Sequence, residues 1–239
     1  MKKHSIALLL LLVLLTGCGA KTEEAPWQTA YRETGKYLQE QDALSAGSVG
    51  GEWAVIGLSR AGLLSDETAQ SYEQTVEDYV KQAGSVRLHH AKSTENSRAI
   101  LGLTAAGYNA ANMAGVDLTA GLTDMAYLRA QGTNGPIWAL IALDCHGYDI
   151  PQCADGEEQT TCEGLVAEIL SYQCSDGGWA LMGDESDVDM TAMALTSLAP
   201  YQEETDIKAA VDAPLTYLSD AQQADGGFMS WGAANSESC

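Results

Sequence analysis

The sequence predicts an all-α fold of repeated helical hairpins, and three observations predict it. Segments ending in Tyr or Leu and then Gln recur: AYRETGKYLQEQ, SYEQTVEDYVKQ, GLTDMAYLRAQ, GLVAEILSYQ and APLTYLSDAQQ. Between them lie apolar, small-residue stretches, WAVIGLSRAGL, RAILGLTAAGY, WALIALDCHGY and TAMALTSLAPY, whose central Leu58, Leu103, Leu143 and Leu195 are 45, 40 and 52 residues apart. The third observation is a turn, Gln173-Cys174-Ser175-Asp176-Gly177-Gly178-Trp179, which returns 49 residues later as Gln222-Gln223-Ala224-Asp225-Gly226-Gly227-Phe228. Self-similarity at a helix-pair period signals repeats that share a core with their neighbours.

Each element follows from its residues. The Gln-ended segments are amphipathic and charged, as helices with one face in water should be. The Leu-centred segments are apolar almost all round, and their Gly and Ala allow close approach, as in helices enclosed by others. The glycines of the repeated turn can take positive φ, and the aromatic after them plugs against the adjoining hairpin. Each enclosed helix is expected to start just after a capping residue: Asn96 before SRAILGL, Asn134 before GPIWALIAL, Asp189 before MTAMAL and Asn235 before SES. Such alternation closes into a double-walled ring or stacks as an open solenoid, and the pattern by itself leaves both open.

The Gln…Asp-Gly-Gly-aromatic turns resemble the repeats of the squalene and hopene cyclases and the protein prenyltransferase β-subunits. The resemblance covers about residues 28–239 and implies an α/α toroid, an inner ring of helices within an outer one. About four to five hairpins are present, fewer than a complete ring of that superfamily, so an incomplete ring is expected.

Asp187-Val188-Asp189-Met190-Thr191-Ala192 is similar to the Asp-x-Asp-Asp-Thr-Ala motif of the class II terpene cyclases. That likeness implies Asp189 as general acid and Asp187 as its supporting carboxylate, chemistry that needs a buried or like-charge-paired carboxyl. Met190 stands where that family has its last Asp, and the chain holds a single Phe with which to line a carbocation pocket. As an N-cap, Asp189 would instead sit at the mouth of the inner ring. A calcium loop made by Asp184, Glu185, Asp187 and Asp189 lacks EF-hand spacing. Glu237-Ser238-Cys239 is a poor match to the prenyltransferase zinc ligands, and no Cys-x-x-Cys pair occurs. No metal or cofactor is therefore expected. His89, His90 and His146 are read as structural, the last placed favourably against a helix dipole.

At the N-terminus, Lys2 and Lys3 precede an apolar run from Ile6 to Leu15 that is too short to span a bilayer, and Leu15-Thr16-Gly17-Cys18 looks like a bacterial lipobox. Residues 1–17 then read as a lipoprotein signal peptide, Cys18 as the lipidated residue, and 18–27 as a tether to a toroid domain over 28–239. The expected location is the extracytoplasmic face of a bacterial membrane, held by acyl chains. Removing Lys2 and Lys3 leaves ten Lys and Arg against thirty-three Asp and Glu. A surface so acidic excludes nucleic acid as a partner.

The other cysteines are Cys145, Cys153, Cys162, Cys174 and Cys239. Outside the cytosol disulfides are permitted, and the expected pairs are Cys174 with Cys239, and Cys153 with Cys145 or Cys162. Cys162 and Cys174 bracket a helix about 18 Å long and cannot pair.

The favoured function is a non-catalytic, membrane-anchored surface protein that binds a ligand or protein partner at its concave mouth. Asn96, Asp187, Asp189 and Asn235, with Trp179 at the corner, are the expected contacts. The toroid resembles that of animal vitamin B12 carriers, which implies a corrinoid-like or other small hydrophobic ligand. The alternatives are a cyclase acting through Asp189 and an adhesion or scaffold module.

Overall fold

The computed structural model describes residues 25–41, 44–48, 50–230 and 233–235. The proposed signal segment, Cys18 and Cys239 lie outside the described residues. Among those described, the chain is mostly helical, with nine α-helices and one two-stranded sheet. The helices are α1 (Pro26–Gln39), α2 (Gly51–Arg60), α3 (Asp66–Ala83), α4 (Thr94–Ala105), α5 (Met125–Arg129), α6 (Asn134–Asp144), α7 (Cys162–Ser171), α8 (Val188–Leu198) and α9 (Thr205–Ala221). None of them is long and apolar enough to cross a membrane.

The four Leu-centred segments form α2, α4, α6 and α8, and they pack in series: α2 on α4, α4 on α6, α6 on α8. Leu58, Leu103 and Leu143 are buried in one continuous core, whereas Leu195 is half-buried at the last member of the series. The amphipathic helices cover this series, α3 against α2, α7 against α6 and α9 against α8. On α3 the buried stripe is Ala69, Tyr72, Val76 and Val80, at the three- and four-residue steps of one helix face.

Two elements depart from expectation. GLTDMAYLRAQ begins in the last residues of a 3-10 turn (Leu118–Leu122) and then forms only the short α5, because Asp117 caps the turn and Asp124 starts a new helix. Asp117 accepts the Thr119 N–H at 2.9 Å. Asp124 accepts the Ala126 N–H at 3.1 Å while its other oxygen pairs with Arg87. Such side chains satisfy the backbone outside a continuous helix. After the second glycine turn, β1 (Phe228–Ser230) and β2 (Ala233–Asn235) pair antiparallel, with Phe228 opposite Asn235. Asn235 thus ends a strand, and the helix it was expected to introduce falls on residues outside those described.

The repeated turn is the same object twice. Gly177 N–H donates to Cys174 O at 2.9 Å, and Gly226 N–H to Gln223 O at 2.8 Å. The preceding glutamines close both turns, Gln173 Nε2 on Gly177 O at 2.7 Å and Gln222 Nε2 on Gly226 O at 3.0 Å. Gly177 and Gly226 take φ of 95° and 86°, a region that side chains with a Cβ disfavour. Trp179 is fully buried, and its Nε1 donates to Ile169 O at 2.8 Å.

Among the described residues Cys145, Cys153, Cys162 and Cys174 form no disulfide with one another, so Cys153 pairs with neither Cys145 nor Cys162. Local carbonyls hold two of these thiols: Cys145 Sγ faces Ala142 O of its own helix at 3.1 Å, and Cys153 Sγ faces Glu157 O of its own loop at 3.7 Å. Burial raises the thiol pKa of Cys145 and Cys162 above the ordinary value, which disfavours the thiolate needed for oxidation.

Candidate functional site

The acidic run is used up in building its own loop. Asp176 accepts the Ser186 hydroxyl and the N–H groups of Ser186 and Gly178. Asp184 accepts Ser175 N–H at 2.6 Å and its hydroxyl at 2.7 Å. These hydrogen bonds hold both carboxyls below the usual carboxylate range. The N-cap of α8 is Asp187, which accepts the Met190 N–H at 2.7 Å. Asp189, expected as the cap, falls inside the first turn, half-buried. The two-residue shift matters: at 187 the backbone is extended (φ −117°, ψ 156°), as a capping residue requires, and at 189 it is already helical.

Asn96 and Asn134 are not caps either. Asn96 lies within α4, fully buried. It accepts Leu88 N–H at 2.9 Å and donates to Val86 O at 2.6 Å and Leu118 O at 3.0 Å, fastening two loops to the helix. The N-terminus of α4 is satisfied from the next hairpin: Gln131 Oε1 accepts Thr94 N–H and Ser93 Oγ–H, both at 3.0 Å. Asn134 is the first residue of α6, behind Thr133, whose hydroxyl donates to Ala180 O at 2.8 Å. Among the described residues no group of three or more His, Cys, Asp or Glu gathers in a metal-holding arrangement.

A cleft lies at the N-terminal ends of α2, α4 and α6. Its volume is about 490 Å³, and its walls are Gly47, Trp53, Lys92, Thr94, Glu95, Arg98, Gln131, Asn134 and Trp138. Asp187, Asp189, Asn96 and Trp179 are not among those walls. The rings of Trp53 and Trp138 stand 5.2 Å apart at 54°, an angled corner. Because α2 and α6 are separated by α4 in the series, this contact means that the three helix starts converge.

Three equivalent positions make the cleft. Counting five residues back from Leu58, Leu103 and Leu143 gives Trp53, Arg98 and Trp138. The motif Trp-Ala-x-Ile-x-Leu occurs at both 53 and 138, the signal that would have found the site from the sequence. Arg98 is set by acids: Nη2 donates to Glu95 at 2.6 Å, and Nη1 is 3.9 Å from Glu52. Burial opposes its charge, and the two carboxylates more than restore it, so its pKa lies above the ordinary guanidinium value. Glu52 is 1% exposed, and its Oε1 accepts Gly47 N–H at 2.6 Å. Among the described residues its Oε2 has no hydrogen-bond partner, nor has the buried Tyr72 hydroxyl. The Tyr72 hydroxyl is driven far above its usual pKa by burial, and then by the Glu52 charge. Tyr79 donates to Glu95 at 3.3 Å from the outer layer. Aromatic faces, fixed charges and amides thus share one concavity of the size that holds small molecules, about 300–1,000 Å³.

Comparison of the chain with protein-family models, with curated proteins and with solved structures returns no match.

Proposed function

We propose that this protein is a non-catalytic, Cys18-lipidated surface protein whose helical hairpins form an incomplete α/α toroid and bind a small ligand at the mouth. The observation that carries the reading is the cleft between Trp53 and Trp138. The serial packing of α2, α4, α6 and α8, and the twice-built glutamine–glycine turn, support the toroid. The convergence of equivalent positions supports a mouth on the N-terminal side of those helices.

Nothing at Asp189 favours a general acid: it sits in the first turn of α8, apart from the cleft walls. Incubation of the purified protein with squalene or oxidosqualene should therefore leave both unchanged. A cyclised product would end the non-catalytic reading. The binding reading is tested by thermal shift with saccharides, nucleosides, amino acids and hydroxocobalamin, since a ligand at 100 times its Kd adds about 2.7 kcal/mol. At least one compound should raise Tm in the wild type and not in Trp138→Ala. For the anchor, detergent-phase partitioning of the expressed full chain should be lost in Cys18→Ser.

A further inference from the structure

Resting on that reading, we infer that the cleft at the ends of α2, α4 and α6 takes a neutral saccharide. Charge narrows the ligand from both sides. The chain carries a net charge of −21, a field that opposes the approach of an anion. In and beside the walls Lys92 and Arg98 offset the carboxylates Glu95 and Glu52, so the cleft offers no net negative charge to hold a cation such as a quaternary ammonium, which the Trp corner would otherwise suit. A ligand without net charge meets neither penalty.

Polarity narrows it further. A purely apolar ligand would cover the outward hydrogen-bonding atoms of Glu95, Arg98 and Asn134 without answering them, which disfavours it. Lys92, Thr94, Gln131 and Asn134 line the same cleft and add donors and acceptors to those of Glu95 and Arg98. The site therefore needs donors and acceptors beside an apolar face. A pyranose ring has that composition: axial C–H groups form a flat apolar face, and hydroxyls ring its edge. Trp53, 41% exposed, and Trp138 offer two ring faces set at an angle, one to stack on and one to bound the sugar. Glu95 and Arg98 supply a fixed acceptor and donor next to them, already held in place by one another at 2.6 Å. Pre-set polar groups lose little freedom on binding.

The test is a titration of the intact protein followed by intrinsic tryptophan emission and by calorimetry. The probes are maltotetraose, cellotetraose, mannotetraose and chitotetraose, with tetragalacturonate as the anionic control. Trp179 is enclosed and should not respond. One neutral tetrasaccharide should give saturable binding whose Kd changes by less than about twofold between low and high sodium chloride. Tetragalacturonate should bind more weakly. Trp53→Ala and Trp138→Ala should each weaken Kd about tenfold or more, with unchanged circular dichroism. If Trp138→Ala fails to fold, Trp138→Phe and Asn134→Ala replace it, with the same direction expected. Saccharide binding that survives these substitutions would overturn the inference, because the sugar would then sit elsewhere. If choline or hydroxocobalamin saturates the cleft while the tetrasaccharides do not, the saccharide inference falls and the binding reading stands. If no probe saturates, both fall.

Discussion

Asp187 Oδ1 accepts the Met190 backbone N–H at 2.7 Å, so Asp187, two residues ahead of the expected cap, opens α8. The same residue donates its own N–H to Trp179 O at 3.0 Å, which ties the cap to the glycine corner. Asp187→Ala should cost about 1 kcal/mol of stability, the usual worth of a cap. Asp189→Ala should lose only a first-turn interaction with the helix dipole, about 0.5 kcal/mol. Urea denaturation of the two variants separates them, and equal losses would mean that the carboxylates share the role.

The corner offers a paired test of backbone strain. Gly177 has φ of 95°, and a Cβ there would sit 2.6 Å from the Ala213 Cβ. Gly226 has φ of 86°, and among the described residues nothing lies within 4 Å of where its Cβ would be. Gly226→Ala should therefore cost about 1 kcal/mol for conformation alone, and Gly177→Ala more, about 2–3 kcal/mol. Denaturant midpoints give both numbers directly.

Trp179 fills the space between corner and core with no exposed surface, and its indole N–H meets Ile169 O. Trp179→Ala should cost about 3–5 kcal/mol. Trp179→Phe should recover most of the packing but lose the indole donor, leaving Ile169 O with the Tyr172 N–H at 3.2 Å. Thermal unfolding followed by far-ultraviolet circular dichroism would rank wild type, Phe and Ala in that order.

Acid should loosen the loop from Ser175 to Ser186. Asp176 owes its low pKa first to the Ser186 hydroxyl. A carboxyl depressed in the folded state stabilises fully above the ordinary carboxylate pKa, and that contribution is lost as pH falls through the lower folded value. Ser186→Ala should move the Asp176 titration up toward the ordinary range, read by carboxyl-carbon NMR, and should flatten the acid limb of the stability profile. An unmoved titration would assign the depression to other donors.

How much of this was legible beforehand depends on what each feature needs. The Leu-centred helices and the glycine corners were, because apolar run, small residues and positive-φ glycines are local signals. Asn96 was misassigned because an Asn beside an apolar run reads as a cap, whereas its three backbone partners come from eight to twenty-two residues away. The α4 terminus is served by Gln131, a residue thirty-seven positions on, which no local pattern marks. The pairing of Cys153 with Cys145 or Cys162 is not formed for the same reason: position along the chain says nothing of which carbonyl a thiol faces. Trp53 and Trp138 were legible in principle, since they hold the same place in two repeats. Their meeting depends on the angle between successive helices, which composition does not carry.

That meeting has a mechanical side. The enclosed helices lean on one another like books on a shelf, each steadied by the next, and disturbances in such a row pass along it one neighbour at a time. Trp53 and Trp138 break that rule by joining the first and third volumes over the head of the second. A ligand laid across both rings would brace the row at a single stroke, and occupancy at one end would be felt as rigidity along the rest.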